Sequence, residues 1–207
     1  MKRSPPCLSA RARRTLALLS LSLGCSPAPA VFTGFPLGNP RFIELQVGAS
    51  GGVVNTVRFN LSGANIGPQP SPVPGLPDAQ TPSTTPGGGV RVRMRGQWNA
   101  VSNNTLTLVV NSAAGMVCVA GTGCGSTVIP FTTVSWVSYQ KATNVPGFDI
   151  QDGTFSGGVV QPLGGIVCCT TPSTVEMSNT LVFSYDNATL YPAGQYRGRV
   201  VFTAVLE

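Results

Sequence analysis

Val90-Arg91-Val92-Arg93-Met94-Arg95-Gly96-Gln97-Trp98 sets two valines and a methionine against three arginines at a strict period of two. Side chains two apart on an extended chain point the same way, so this segment buries one face and wets the other. Trp98 extends the apolar side and reads as core. The same alternation recurs on either side of it. Ile43, Leu45 and Val47 alternate with Glu44 and Gln46, and Val57, Phe59 and Leu61 alternate with Arg58 and Asn60. Further runs follow at Thr105 to Val110, Thr127 to Val137, Asn179 to Tyr185 and Tyr196 to Leu206. Clusters of Gly, Pro, Asn and Ser separate them, only 10% of the residues are charged, and no window keeps a helical period. The expected fold is all-β: an immunoglobulin-like β-sandwich of about seven or eight antiparallel strands, complete or lacking one strand.

One stretch departs from the pattern. Residues 67–89 contain Pro68, Pro70, Pro72, Pro74, Pro77, Pro82 and Pro86 with almost nothing apolar. They read as an extended, solvated surface loop inserted into a single domain spanning residues 31–207.

Residues 1–30 read as a secretory signal peptide. Lys2, Arg3, Arg11, Arg13 and Arg14 are the cationic start, Leu16 to Leu23 the apolar stretch, and Ala28-Pro29-Ala30 the small-residue cleavage site. The residues after Arg13-Arg14 fit a twin-arginine signal poorly, and Ser22 stands where a lipidation motif at Cys25 wants leucine. The apolar stretch falls short of the roughly 20 residues a bilayer span needs, so no membrane span is expected and the protein is read as exported, to the periplasm, the cell surface or an extracellular fimbria.

The leader carries the charge. Five of the 13 Lys and Arg lie in it; the other eight face all seven Asp and Glu, leaving +1. Nucleic-acid binding, which needs clustered cations against phosphates, loses its support. Four cysteines follow the leader: Cys118, Cys124, Cys168 and Cys169. An even number in an exported chain reads as disulfides, with three pairings open, while adjacent Cys168 and Cys169 are poorly placed to bond each other.

Catalytic machinery is sought without success. The chain has no His, which removes the usual general base. Gly48-Ala49-Ser50-Gly51-Gly52 matches a nucleophile-elbow pattern, yet without His it reads as a turn. Asp149, Asp152 and Glu176 are the candidates for a carboxylate pair or a calcium loop, and their spacing suits neither. Gly121-Thr122-Gly123-Cys124-Gly125 lacks the Lys and the helix of a phosphate loop and reads as a disulfide-closed turn. No enzyme activity, cofactor or metal is expected.

Arg91, Arg93 and Arg95 share one strand face, as do Arg197 and Arg199. If those strands adjoin, they form a basic stripe suited to acidic polysaccharide or lipid headgroups; otherwise they are solvated or edge charges that discourage aggregation.

The terminal segment carries the functional expectation. From Gly194 onward Tyr196, Gly198, Val200, Phe202, Ala204 and Leu206 fall on one face of a long strand that runs almost to the last residue. Tyr196, after Tyr191-Pro192-Ala193-Gly194-Gln195, also suits a tyrosine corner. A final strand left at a sheet edge is a template for strand addition from another chain.

Phe183 to Val200, with Gly194 thirteen residues from the end and alternating apolar residues after it, resembles the closing hairpin of pilin-like subunits of the bacterial chaperone–usher class, in particular the spore-coat-U-like branch. The resemblance implies a structural or adhesive fimbrial subunit, held first by a periplasmic chaperone and then completed by the arm of a neighbouring subunit, with Gly194, Tyr196, Val200, Phe202, Ala204 and Leu206 beside the inserted strand. Only Val31 to Asn39 precede the first strand, a short arm that fits a terminal or minor subunit, or a self-complete sandwich. The alternative is a monomeric carbohydrate- or ligand-binding sandwich, for which Trp98 and Trp136 are the large aromatic candidates.

Overall fold

Each period-two segment must pair its backbone N–H and C=O groups with another strand, because an extended chain cannot satisfy them internally. In a computed structural model of the chain, residues 42–49, 56–62, 65, 71–78, 84–98, 104–141, 149–168 and 173–206 are described. The leader with Cys25, the arm at 31–39 and Cys169 lie outside them. The strands are β1 (Phe42–Val47), β2 (Val57–Arg58), β3 (Val73–Pro74), β4 (Leu76–Pro77), β5 (Val90–Trp98), β6 (Asn104–Asn111) and β7 (Met116–Cys118). They continue with β8 (Val128–Ile129), β9 (Val134–Tyr139), β10 (Gly153–Thr154), β11 (Gln161–Cys168), β12 (Ser173–Tyr185), β13 (Tyr196–Gly198) and β14 (Val201–Leu206). All described pairings are antiparallel. Seven strands reach six residues or more, in keeping with the expected number, and the others are two- or three-residue fragments.

The larger sheet runs β1-β5-β12-β9-β10, with β3 pairing the end of β12. Its register sets Met94 opposite Met177 and Val90 opposite Leu181. The opposing layer has β6 between β11 and β14, and continues as β7 between β13 and β8. Val92 and Met94 from the first layer meet Leu106, Leu108 and Val110 from the second, all at most 1% exposed, in one core shared with Trp136, Ile166, Met177 and Phe183. Each such aliphatic side chain contributes roughly 1.5–3 kcal/mol of burial. Phe155 sits among Phe131, Trp136 and Phe183 with ring centroids 4.8–5.9 Å apart, closing one end of that core. The protein is all-β, a sandwich of antiparallel sheets sharing a single core.

Four expectations change in detail. Thr127 to Val137 is not one strand: Pro130 has no N–H for the ladder, and a 3-10 turn at Phe131–Thr133 separates β8 from β9. The loop at 67–89 is not wholly solvated. Val73 is 3% exposed, Gly75 N–H donates to Phe183 O at 2.8 Å, and a Cβ on Gly75 would stand 2.7 Å from Val57 Cγ1. Strand β11 was hidden by Pro162, Gly164 and Gly165, which read as turn residues; it forms on β6 with a register shift between Pro162 and Gly164. Finally, the terminal run breaks at Arg199 and Val200. Tyr196–Gly198 pairs with β7, Val201–Leu206 pairs with β6, and the turn between β6 and β7 faces the break.

Candidate functional site

The break leaves the alternation of the terminal run intact. Tyr196, Val200, Phe202 and Ala204 all pack against the core, while Arg197, Arg199, Val201 and Thr203 are exposed. The side chain of Leu206 lies outside the described residues. Tyr196 makes the corner its sequence context suggested: its hydroxyl donates to Pro192 O at 2.8 Å.

Just upstream, the chain is seated on the disulfide loop. Cys118 and Cys124 are bonded, with Cα atoms 5.7 Å apart. Gln195 N–H donates to Thr122 Oγ1 at 3.0 Å, and Val119 N–H donates to Gln195 O at 2.8 Å. A Cβ on Gly194 would stand 2.5 Å from Cys124 Sγ and 3.0 Å from Thr122 O, so only glycine lets the strand start this close to the bridge. The side chain of Cys168 lies outside the described residues.

What distinguishes β14 is its edge. Among the described residues it pairs with β6 alone, and β1, which pairs with β5 alone, lies beside it. Cα atoms of the two strands come within 8 Å, yet no ladder joins them. The apolar side chains along this seam, Ile43, Leu45 and Val47 on β1 and Phe202 and Ala204 on β14, are half-buried, whereas Leu106, Leu108 and Val110 of central β6 are fully buried.

The other edges carry the devices that discourage strand addition. Strand β11 has Pro162 and an irregular register. Strand β1 carries Glu44, engaged with Arg93 and Arg95 at 3.8 Å each. Strands β8, β10 and β13 are two or three residues long. Val201-Phe202-Thr203-Ala204-Val205-Leu206 is regular and carries neither charge nor proline.

The arginines do not form one stripe, because β5 belongs to the larger sheet and β13 to the opposing layer. On β5, Arg93 and Arg95 are tied into an ion-pair ladder across β1, β5 and β12. Arg93 grips Glu176 through two 2.8 Å hydrogen bonds, which hold that carboxyl below its usual range and raise the guanidinium's own pKa. Arg95 lies 5.2 Å over the Phe42 ring.

The three carboxylates considered for chemistry are dispersed. Asp149, 7% exposed, accepts from Asn179 Nδ2 at 3.1 Å, and Asn179 Oδ1 in turn accepts from Ile150 N–H. Asp152 accepts from Ser138 N–H at 2.9 Å and from Lys141, which together lower its pKa. Glu176 stands on the opposite face of β12 from Asn179, by strand alternation. Among the described residues no group of three or more His, Cys, Asp or Glu could hold a metal. Gly48, with φ of 80°, turns the chain out of β1; Ser50 to Gly52 of the elbow-like motif lie outside the described residues.

Of the aromatics considered for a ligand platform, Trp136 is 4% exposed and its indole N–H donates to Gln151 O at 2.8 Å, so it is a core residue. The side chain of Trp98 lies outside the described residues. No helix among the described residues is long and apolar enough to cross a membrane. Fold and edge together define an antiparallel β-sandwich in which, among the described residues, β14 is a regular edge strand without charge or proline. Compared with protein-family models, curated proteins and solved structures, the chain matches none of them.

Proposed function

We propose that this chain is an exported, non-enzymatic structural subunit whose edge strand β14, with β1 parting from it to about twice the strand spacing, takes up an extended strand from another chain. The observation that carries the reading is β14 itself: six regular, uncharged residues with a partner on one side only among the described residues. A long apolar edge of this kind is an aggregation liability unless association is its purpose. A strand laid along β14 would pair its outward backbone groups and cover the half-buried Phe202 and Ala204, joining hydrogen bonding to apolar burial. The signal-like leader and the pilin-like sequence from Phe183 to Val200 agree with such a role, although β12 and β13 pair in different sheets rather than as the closing hairpin the resemblance implies, with a periplasmic chaperone and neighbouring subunits as the partners.

The test is electrophoresis of the protein purified with its chaperone. Multimers that survive SDS and fall to monomer only on boiling are expected. An unboiled sample that runs solely as monomer would sink the proposal.

A further inference from the structure

A second region stands apart from the seam, on the outward face of the larger sheet near the start of β9. A depression of about 390 Å³ is lined there by Pro72, Thr132, Thr133, Ser135, Thr154 and Asp186. Its floor is set by strand register: Thr154 on β10 stands opposite Ser135 on β9, so two hydroxyls adjoin there on one face, and Ser184 on β12, also opposite Ser135, continues the row beyond the lining. Its wall is fixed by the backbone: Asp186 N–H donates to Thr133 O at 2.7 Å, and Asp186 Oδ1 accepts from Ala188 N–H at 3.0 Å. The Asp186 carboxylate lines the depression, and no hydrogen bond to its Oδ2 is found among the described residues. Thr133 spends its own proton on Pro130 O at 2.8 Å, and its oxygen keeps acceptor capacity.

The same strand face continues beyond the depression. Residues two apart on β9 point the same way, so Val137 and Tyr139 follow Ser135 outward, and they are 45% and 42% exposed. From Ser135 to Tyr139 the strand advances about 14 Å, at about 3.4 Å per residue. The surface thus begins with hydroxyls and a carboxylate and ends with an aliphatic and an aromatic side chain.

We infer that this surface binds a neutral oligosaccharide. Sugar hydroxyls both donate and accept, which a row of Ser and Thr hydroxyls and a carboxylate oxygen can match, and the C–H face of a sugar ring packs on apolar and aromatic side chains. Among the described residues the lining carries one charge, the Asp186 carboxylate, which disfavours uronates and phosphates by like-charge repulsion. Among the described residues the lining holds no large apolar side chain to enclose a lipid tail. The site needs no partner chain, so it stands or falls independently of strand uptake at the seam.

The test is an amide-shift NMR titration of the chain with cellohexaose, chitohexaose, hexagalacturonate and an uncharged extended peptide. Saturable shifts at Thr133, Ser135, Thr154 and Asp186 with a neutral hexasaccharide are expected. Asp186→Asn, which keeps the acceptor for Ala188 N–H and loses the charge, should weaken that binding about tenfold. Tyr139→Ala, at an exposed position, should weaken it to a similar degree, and both variants should keep the wild-type spectrum elsewhere. No saturable shift with either neutral sugar, shifts confined to other residues, hexagalacturonate bound as tightly, or response to the peptide alone would each overturn the assignment.

Discussion

Replacing Cys118 and Cys124 together by alanine tests how the terminal strands are held. The bridge closes a loop between residues six apart in sequence. The chain-entropy relation for a loop of about seven residues gives about 2.4 kcal/mol of stabilisation at 25 °C. For a domain of this size that lowers Tm by roughly 5–10 °C.

The loss should not be spread evenly. Cys118 is the strand residue opposite Tyr196, and the loop supplies the Thr122 and Val119 hydrogen bonds to Gln195. Hydrogen exchange should therefore quicken in β7 and β13 well before β5 and β12, which lie in the larger sheet. A double-mutant cycle sharpens the test. Gly194→Ala should be costly in both backgrounds, because Cys124 Cβ at 2.7 Å and Thr122 O at 3.0 Å remain after Cys124→Ala, and costlier with the bridge present, where Cys124 Sγ also stands 2.5 Å from the new Cβ. Urea unfolding of the four proteins gives the coupling. A bridge-free variant as stable as wild type, or a Gly194→Ala cost that is the same in both backgrounds, would refute the reasoning.

Two further predictions rest on buried groups. Asn179→Ala removes a fully buried amide that pairs with both Asp149 and the Ile150 N–H; leaving those groups unmatched should cost about 2–4 kcal/mol by urea unfolding. Tyr185, 3% exposed, has its hydroxyl pKa pushed up to about 12 by burial first and by Tyr191, Asp186 and Tyr196 nearby. Its neutral form belongs to the folded state, so stability should hold below pH 10 and fall between pH 10 and about 12, whereas Tyr185→Phe should lessen that slope. At the acid end Glu176, lowered by Arg93, stabilises the fold above its ordinary 4.5 and loses that contribution as pH drops through the lowered value. The Glu176 side chain is 42% exposed, so the effect should stay under about 1 kcal/mol and shrink with salt.

The residues themselves determined the all-β class, the positions of the long alternating strands and the core face of the terminal run. A period of two dictates which side chains share a face whatever the partner strand is, and this is why Val92 and Met94 turn inward while Arg93 and Arg95 turn out. Pairing is decided elsewhere, by which edges meet when the layers close. That is why Arg91 and Arg197 end up in different sheets, why β11 forms through Pro162 and two glycines once β6 offers a ladder, and why the run from Tyr196 to Leu206 breaks between two partners. Asp186 and Tyr139 gave no signal in the chain, since a lone turn aspartate and a strand tyrosine are unremarkable until the backbone sets them on one face. Only the tertiary structure could select β14 as an edge among the described residues, because an edge is defined by the neighbour a strand lacks.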